Sequence, residues 1–169
     1  MTLLVQYTLI FASVLALVAL GGCFSEHSGV INIGLEGIMV MGALGGALAM
    51  KFIPASTPGI VLFILIVLTS VLVGMVFSLF LGVAAIHFNA DQTLVGTALN
   101  LMGTAAAVVI VRAINVAENP DNVSSTVVYR QAKQVFLVKI GDFEFNWFML
   151  LVVLAIIASH VVLYKTKFG

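Results

Sequence analysis

Between Ile60 and Ile86 the chain runs for 27 residues without one charged side chain. A helix needs only about 20 apolar residues to cross a hydrocarbon layer of about 30 Å, so this stretch is expected to tilt or to project beyond the bilayer. Leu3–Gly22, Val30–Met50, a run from Thr93 closed by Arg112, and Phe148–Tyr164 read the same way, which gives about five hydrophobic spans. Composition agrees: 62% of the residues are hydrophobic and 8% charged, with mean hydropathy +1.24, far from the balance of a soluble domain. The expected fold class is all-α, a polytopic transmembrane helix bundle forming a single domain over 1–169.

Charge and cysteine content exclude several functions. Seven basic and seven acidic residues cancel, and they sit in short segments between apolar runs, so there is no nucleic-acid footprint. Cys23 is the single cysteine, which rules out a disulfide within the chain and cannot by itself build a metal site. His87 and His160 lie far apart with no paired acid, which argues against a membrane-embedded enzyme, and no cofactor is expected. Leu20-Gly21-Gly22-Cys23 resembles a lipoprotein lipobox. Met1–Gln6 carries no Lys or Arg, however, and the chain beyond Cys23 is itself membrane-like, so the first span is read as a retained helix.

The stretch from Ser25 to Gly46 holds the polar seam. It sets Glu36 inside a run that otherwise reads as buried in lipid, where an unpaired carboxylate costs several kcal/mol. On a helix Asn32 and Glu36, four apart, share one face, and Gly34, Gly37, Gly42, Gly45 and Gly46 leave bare backbone around them. Two readings of Glu36 stand: a functional group beside a cavity, or a helix-end residue in the headgroup layer. Gly42 and Gly46 form a small-xxx-small pair for helix packing, whereas Gly34 and Gly37 suggest a re-entrant or broken helix near 30–50. Further on, Pro54 and Pro58 mark a turn, and Asp91 suits a helix N-cap. Asn100 lies about two turns into an apolar helix, with Gly96, Thr97, Gly103 and Thr104 on a small, polar surface that should face protein or a cavity. An interhelical hydrogen bond and a substrate contact are both open to it.

Most of the charge falls in the hydrophilic section Asn115–Asn146. Residues 135–140 and 143–145 suggest two short strands about Gly141-Asp142, either as a docking surface or as a loop on the bilayer anchored by Phe143, Phe145 and Trp147. Lys165 and Lys167 suggest a cytoplasmic end. Counting back puts Asn115–Asn146 outside, His87–Gln92 inside, Lys51–Gly59 outside and Ser25–Gly29 inside, with the N-terminus outside unless the second segment is re-entrant.

Ser25 to Gly37, within GGCFSEHSGVINIGLEG, resembles the signature S-x-x-x-G-[hydrophobic]-x-N-[hydrophobic]-G-x-E-G of ABC transporter permeases of the branched-chain amino acid and simple-sugar superfamily. FNADQTLVGTALNL resembles the N-[DE]-x-[hydrophobic]-x-G-x-A-L-N segment of its nucleoside-type members, and YKTKFG the end of the helix before their cytoplasmic coupling region. The resemblance implies a permease subunit of an importer in the bacterial plasma (inner) membrane, surrounded by membrane lipid, carrying a nucleoside or simple sugar. Its implied partners are a second permease subunit, a cytoplasmic ABC ATPase and an external lipid-anchored solute-binding protein. The chain has no G-x-x-x-x-G-K-[ST] loop, so ATP hydrolysis falls to the ATPase. Asn32, Glu36 and Asn100 are the candidates for the translocation face, and Gly34, Gly37, Gly42, Gly46 and Gly96 for helix packing. In that family a coupling segment and further spans follow the position of Phe168-Gly169, so the domain is expected to be incomplete at its C-terminus. A small autonomous channel or scaffold protein and a truncated permease remnant are the alternatives.

Overall fold

The computed structural model describes residues 2–54, 56–127, 137–140 and 143–166; within these the side chains of residues 2–3, 137–140 and 143–148 are left aside. In chain order the elements are α1 (Thr2–His27), α2 (Leu35–Phe52), α3 (Gly59–Ile86), α4 (Gln92–Glu118), β1 (Leu137–Ile140), β2 (Phe143–Asn146) and α5 (Trp147–Lys165). The fold is thus a polytopic helical one with a single short hairpin among the described residues. By length and composition, α1 to α4 can each cross a membrane; α5 is equally apolar but shorter over its described part, Met149–Lys165.

Local chemistry sets the helix ends. After α1, Gly29 adopts φ +83°, where an L side chain is strained, and Val30 N–H reaches back to Ser25 O at 3.2 Å. Pro58 opens α3 with φ −57°, close to the angle its ring enforces. Asp91 caps α4 as expected: its carboxylate accepts from Thr93 N at 2.8 Å and Leu94 N at 3.2 Å.

Two sequence expectations are corrected here. Asn32 and Glu36 do not share a helical face, because residues 28–34 are non-helical and α2 begins only at Leu35. The break therefore precedes the second span; from Leu35 to Phe52 the helix is continuous, and its 18 residues reach about 27 Å. The fourth helix, read as closing at Arg112, continues to Glu118, because Asn115 and Glu118 find partners at the end of α2.

The chain packs into two compact units, residues 1–31 with 134–169 and residues 32–133. In the first, α1 and α5 lie together, and Tyr164 meets His27 edge-on with ring centroids 6.3 Å apart and His160 at 5.1 Å. Its hairpin pairs Leu137 with Asn146 and Ile140 with Phe143 in antiparallel register, the region where the sequence suggests two strands. Phe143, Phe145 and Trp147, the expected interfacial anchors, have side chains outside the described set.

The second unit is a three-helix bundle with α2 in the middle. On one side of α2, Gly42 and Gly74 meet; a Cβ on Gly45 would lie 2.8 Å from Val73 Cγ2, and one on Gly46 would strike Ser70 Oγ. Because Gly42 faces Gly74 while Gly46 faces Ile66 and Ser70, α3 runs antiparallel to α2. On the other side, Gly34 and Gly37 meet Gly96, Leu99 and Gly103 near the start of α4, and Lys51 meets Asn115 and Glu118 near its end, so α4 runs parallel to α2. The outer faces stay apolar: Ile60, Ile64, Leu72, Val76 and Leu79 of α3 are exposed, as suits side chains whose solvent is lipid.

Candidate functional site

The first turn of α2 sits against α4. Its N-cap is Gly34, which has no side chain to accept the free N–H groups of that turn. The acceptor comes instead from the neighbouring helix: Asn100 Oδ1 accepts from Gly37 N at 2.7 Å, at the third helical position, where a local Ser or Asp cap would act. The same amide donates through Nδ2 to Ile33 O at 2.9 Å. One side chain thus ties both sides of the helix start, at sequence separations of 63 and 67 residues.

Such bonds require the two backbones to approach closely. A Cβ on Gly37 would lie 2.5 Å from Leu99 O and 2.9 Å from Asn100 Cα; one on Gly103 would lie 2.8 Å from Gly37 O; and one on Gly96 would lie 2.9 Å from Gly34 N. Glycine is the residue that fits at these points.

Around this contact lie the other candidates. Asn32 Oδ1 is buried and has no hydrogen-bond partner among the described residues, and it lies 3.4 Å from the Cβ position of Gly34. Glu36, at the second position of α2, is exposed and forms no ion pair among the described residues. A carboxylate there is favoured by the positive end of the helix dipole. Asn32, Glu36 and Asn100 are therefore gathered at one end of the α2–α4 pair. Thr97 and Thr104 are exposed, and their hydroxyls donate to Thr93 O and Asn100 O on their own helix. No group of three or more His, Cys, Asp or Glu side chains is placed to hold a metal ion among the described residues.

A second polar cluster, at the other end of the pair, was missed by the sequence reading. Lys51 is 8% exposed; its Nζ lies 3.0 Å from Glu118 Oε2 and donates to Asn115 Oδ1 at 3.3 Å. Asn115 is 2% exposed and donates to Ser124 O at 3.0 Å and Thr126 O at 2.9 Å. A signal for it was present. Continuing in steps of three or four from Gly96, Asn100 and Gly103 through Ala107, Val111 and Asn115 reaches Glu118 on the same stripe.

The family described as branched-chain amino acid transport system / permease component matches residues 4–169. The guanosine ABC transporter permease protein NupQ of Bacillus subtilis is 35% identical over 177 aligned residues, covering 100% of this chain and 54% of that protein. The nucleoside ABC transporter permease protein NupC of Lactococcus lactis is 32% identical over 172 residues, covering 99% of this chain and 53% of its own length. The chain spans about half the length of these curated relatives. No solved structure matches it. Apolar helices long enough to cross a bilayer and a match over nearly the whole chain make this a multi-pass membrane protein of the branched-chain amino acid transport system permease family.

Proposed function

We propose that the chain is a membrane-spanning permease subunit of an ABC importer and forms part of the pathway for a nucleoside. The observation that carries this is its similarity, from end to end, to two permeases described as acting on guanosine and on nucleosides. In this reading the subunit works in the bacterial plasma membrane with a second permease subunit, a cytoplasmic ATPase that supplies the energy, and an external lipid-anchored binding protein that delivers the solute. A ribose offers hydroxyl donors and a base offers N–H groups; the exposed carboxylate of Glu36 is an acceptor for them, and the buried Oδ1 of Asn32, unpaired among the described residues, becomes a second acceptor when the helix start opens. Asn100, with both ends of its amide engaged by backbone, acts as a positioning residue for that pair.

Glu36→Ala in the assembled transporter is expected to abolish uptake of labelled guanosine while leaving the amount of permease in the membrane unchanged. Uptake at the parental rate would remove Glu36 from the pathway. Orientation has its own test: with Cys23 replaced by serine, a cysteine at the exposed position Ser124 is expected to react with an impermeant maleimide in intact cells. Labelling only after lysis would reverse the topology.

A further inference from the structure

Beyond the end of α4 the chain turns back on itself. Asn119-Pro120-Asp121-Asn122 closes a turn through Asn122 N–H to Asn119 O at 2.9 Å, with proline at the second position, where its fixed φ suits the bend. Asp121 N–H also donates to Asn119 Oδ1 at 3.1 Å. The returning segment is held by side chains of α4. Arg112 Nε donates to Val123 O at 2.9 Å, and Asn115 Nδ2 donates to the carbonyls of Ser124 and Thr126. Ser125 and Val127, alternating with these held residues, line a groove of about 260 Å³ with Ala43 and Ala47 of α2 and Ala107 and Val111 of α4.

We propose that residues 123–127 are a movable strap forming one wall of the α2–α4 groove, that Asn115 is its catch, and that Lys51 sets the catch. This rests on the transport reading above, and deepens it by assigning the strap to passage of solute at this end of the helix pair. Four features support it. The strap is held to the bundle through carbonyls facing two side chains, not through a strand ladder, so it releases as a unit when those side chains let go. Its own residues border the groove without filling it, leaving space lined mainly by apolar side chains, Val40, Leu44 and Val108 among them. Lys51 has donors only, so it faces Asn115 Oδ1 and turns both N–H groups of that amide toward the strap. Glu118 is half exposed, so water reaches the cluster that would have to open.

The test uses the assembled transporter in membranes, with Cys23 replaced by serine. Cysteines at Ala47 and Ser125, on opposite walls of the groove, are to be joined by a short cleavable bis-maleimide. Guanosine uptake is expected to be lost on cross-linking and restored on cleavage. Uptake that survives complete cross-linking, or a pair that cannot be joined, would overturn the strap as a moving part. In a second arm, Lys51→Met is expected to raise several-fold the rate at which a lone cysteine at Val127, half-buried on the groove wall, reacts with an impermeant maleimide, and Lys51→Arg to bring it back. An unchanged rate would overturn the role of Lys51. Should Lys51→Met fail to accumulate, the cross-linking arm, which leaves Lys51 and Asn115 intact, decides alone. Absence of guanosine uptake in the parent before any cross-linking would count against the transport reading, while the labelling rates would still report on the strap.

Discussion

Gly37→Ala is expected to destabilise the α2–α4 pair strongly, and Gly37→Leu to prevent the permease from accumulating in the membrane. The first atom added meets backbone, not a flexible side chain: Leu99 O at 2.5 Å and both Leu99 C and Asn100 Cα at 2.9 Å. Overpacking a tight interior typically costs about 1–3 kcal/mol, and here relief requires one helix to move away from the other. That movement would also stretch the bond from Gly37 N to Asn100 Oδ1, so packing and capping fail together. Gly103→Ala should behave in the same way, since its Cβ would lie 2.8 Å from Gly37 O. Gly82→Ala is the control: among the described residues nothing lies within 4 Å of its Cβ position, and alanine improves helix propensity by up to about 1 kcal/mol. Membrane abundance and the denaturation midpoint of detergent-extracted protein check the series. If Gly37→Ala matches Gly82→Ala in both, the close approach of the two helices is wrong.

The contrast between these glycines explains what the sequence could disclose. Long uncharged runs announce helices because the bilayer fixes their length, and Asp91 announces a helix start because its cap is local. Glu36 stood out for the same kind of reason, as a charge within an apolar run. Its relation to Asn32 did not follow, since spacing by four means a shared face only once a helix is present. The start of α2 at Leu35 is stabilised by an amide 63 residues beyond Gly37, and a cap supplied across space leaves no mark in the neighbouring sequence. Lys51 likewise reads, from the sequence, only as the first residue of the connection Lys51–Gly59. Its burial depends on Asn115 and Glu118, and they reach it only because α2 and α4 run parallel with their ends aligned. The stripe from Gly96 to Glu118 carried that information, but reading it needed continuation past Arg112 into a region that looks like loop by polarity alone.

Asn100→Leu is expected to lower stability by about 1–3 kcal/mol, with Asn100→Asp between it and the parent. Leucine preserves the bulk of the side chain but leaves Ile33 O and Gly37 N–H without their partner; Ile33 is exposed and water can reach its carbonyl, whereas Gly37 is buried, and an unpaired buried polar group costs about 1–3 kcal/mol. Side-chain hydrogen bonds between membrane helices average only about 0.6 kcal/mol, so a pair of ordinary interhelical bonds would give a much smaller loss. The larger figure is favoured because both partners are backbone groups at a helix start that has no cap of its own. Aspartate keeps the acceptor for Gly37 N–H and adds a negative charge at the positive end of α2, but it loses the donor to Ile33 O. Denaturation midpoints and guanosine uptake, measured on the same preparations, separate the two roles open to this residue. For a positioning residue, uptake falls in step with stability along the series Asn, Asp, Leu. A side chain in direct contact with the solute would instead lose uptake in Asn100→Asp while most of the stability remained, and that outcome would move Asn100 from holding the helix start to touching what passes it.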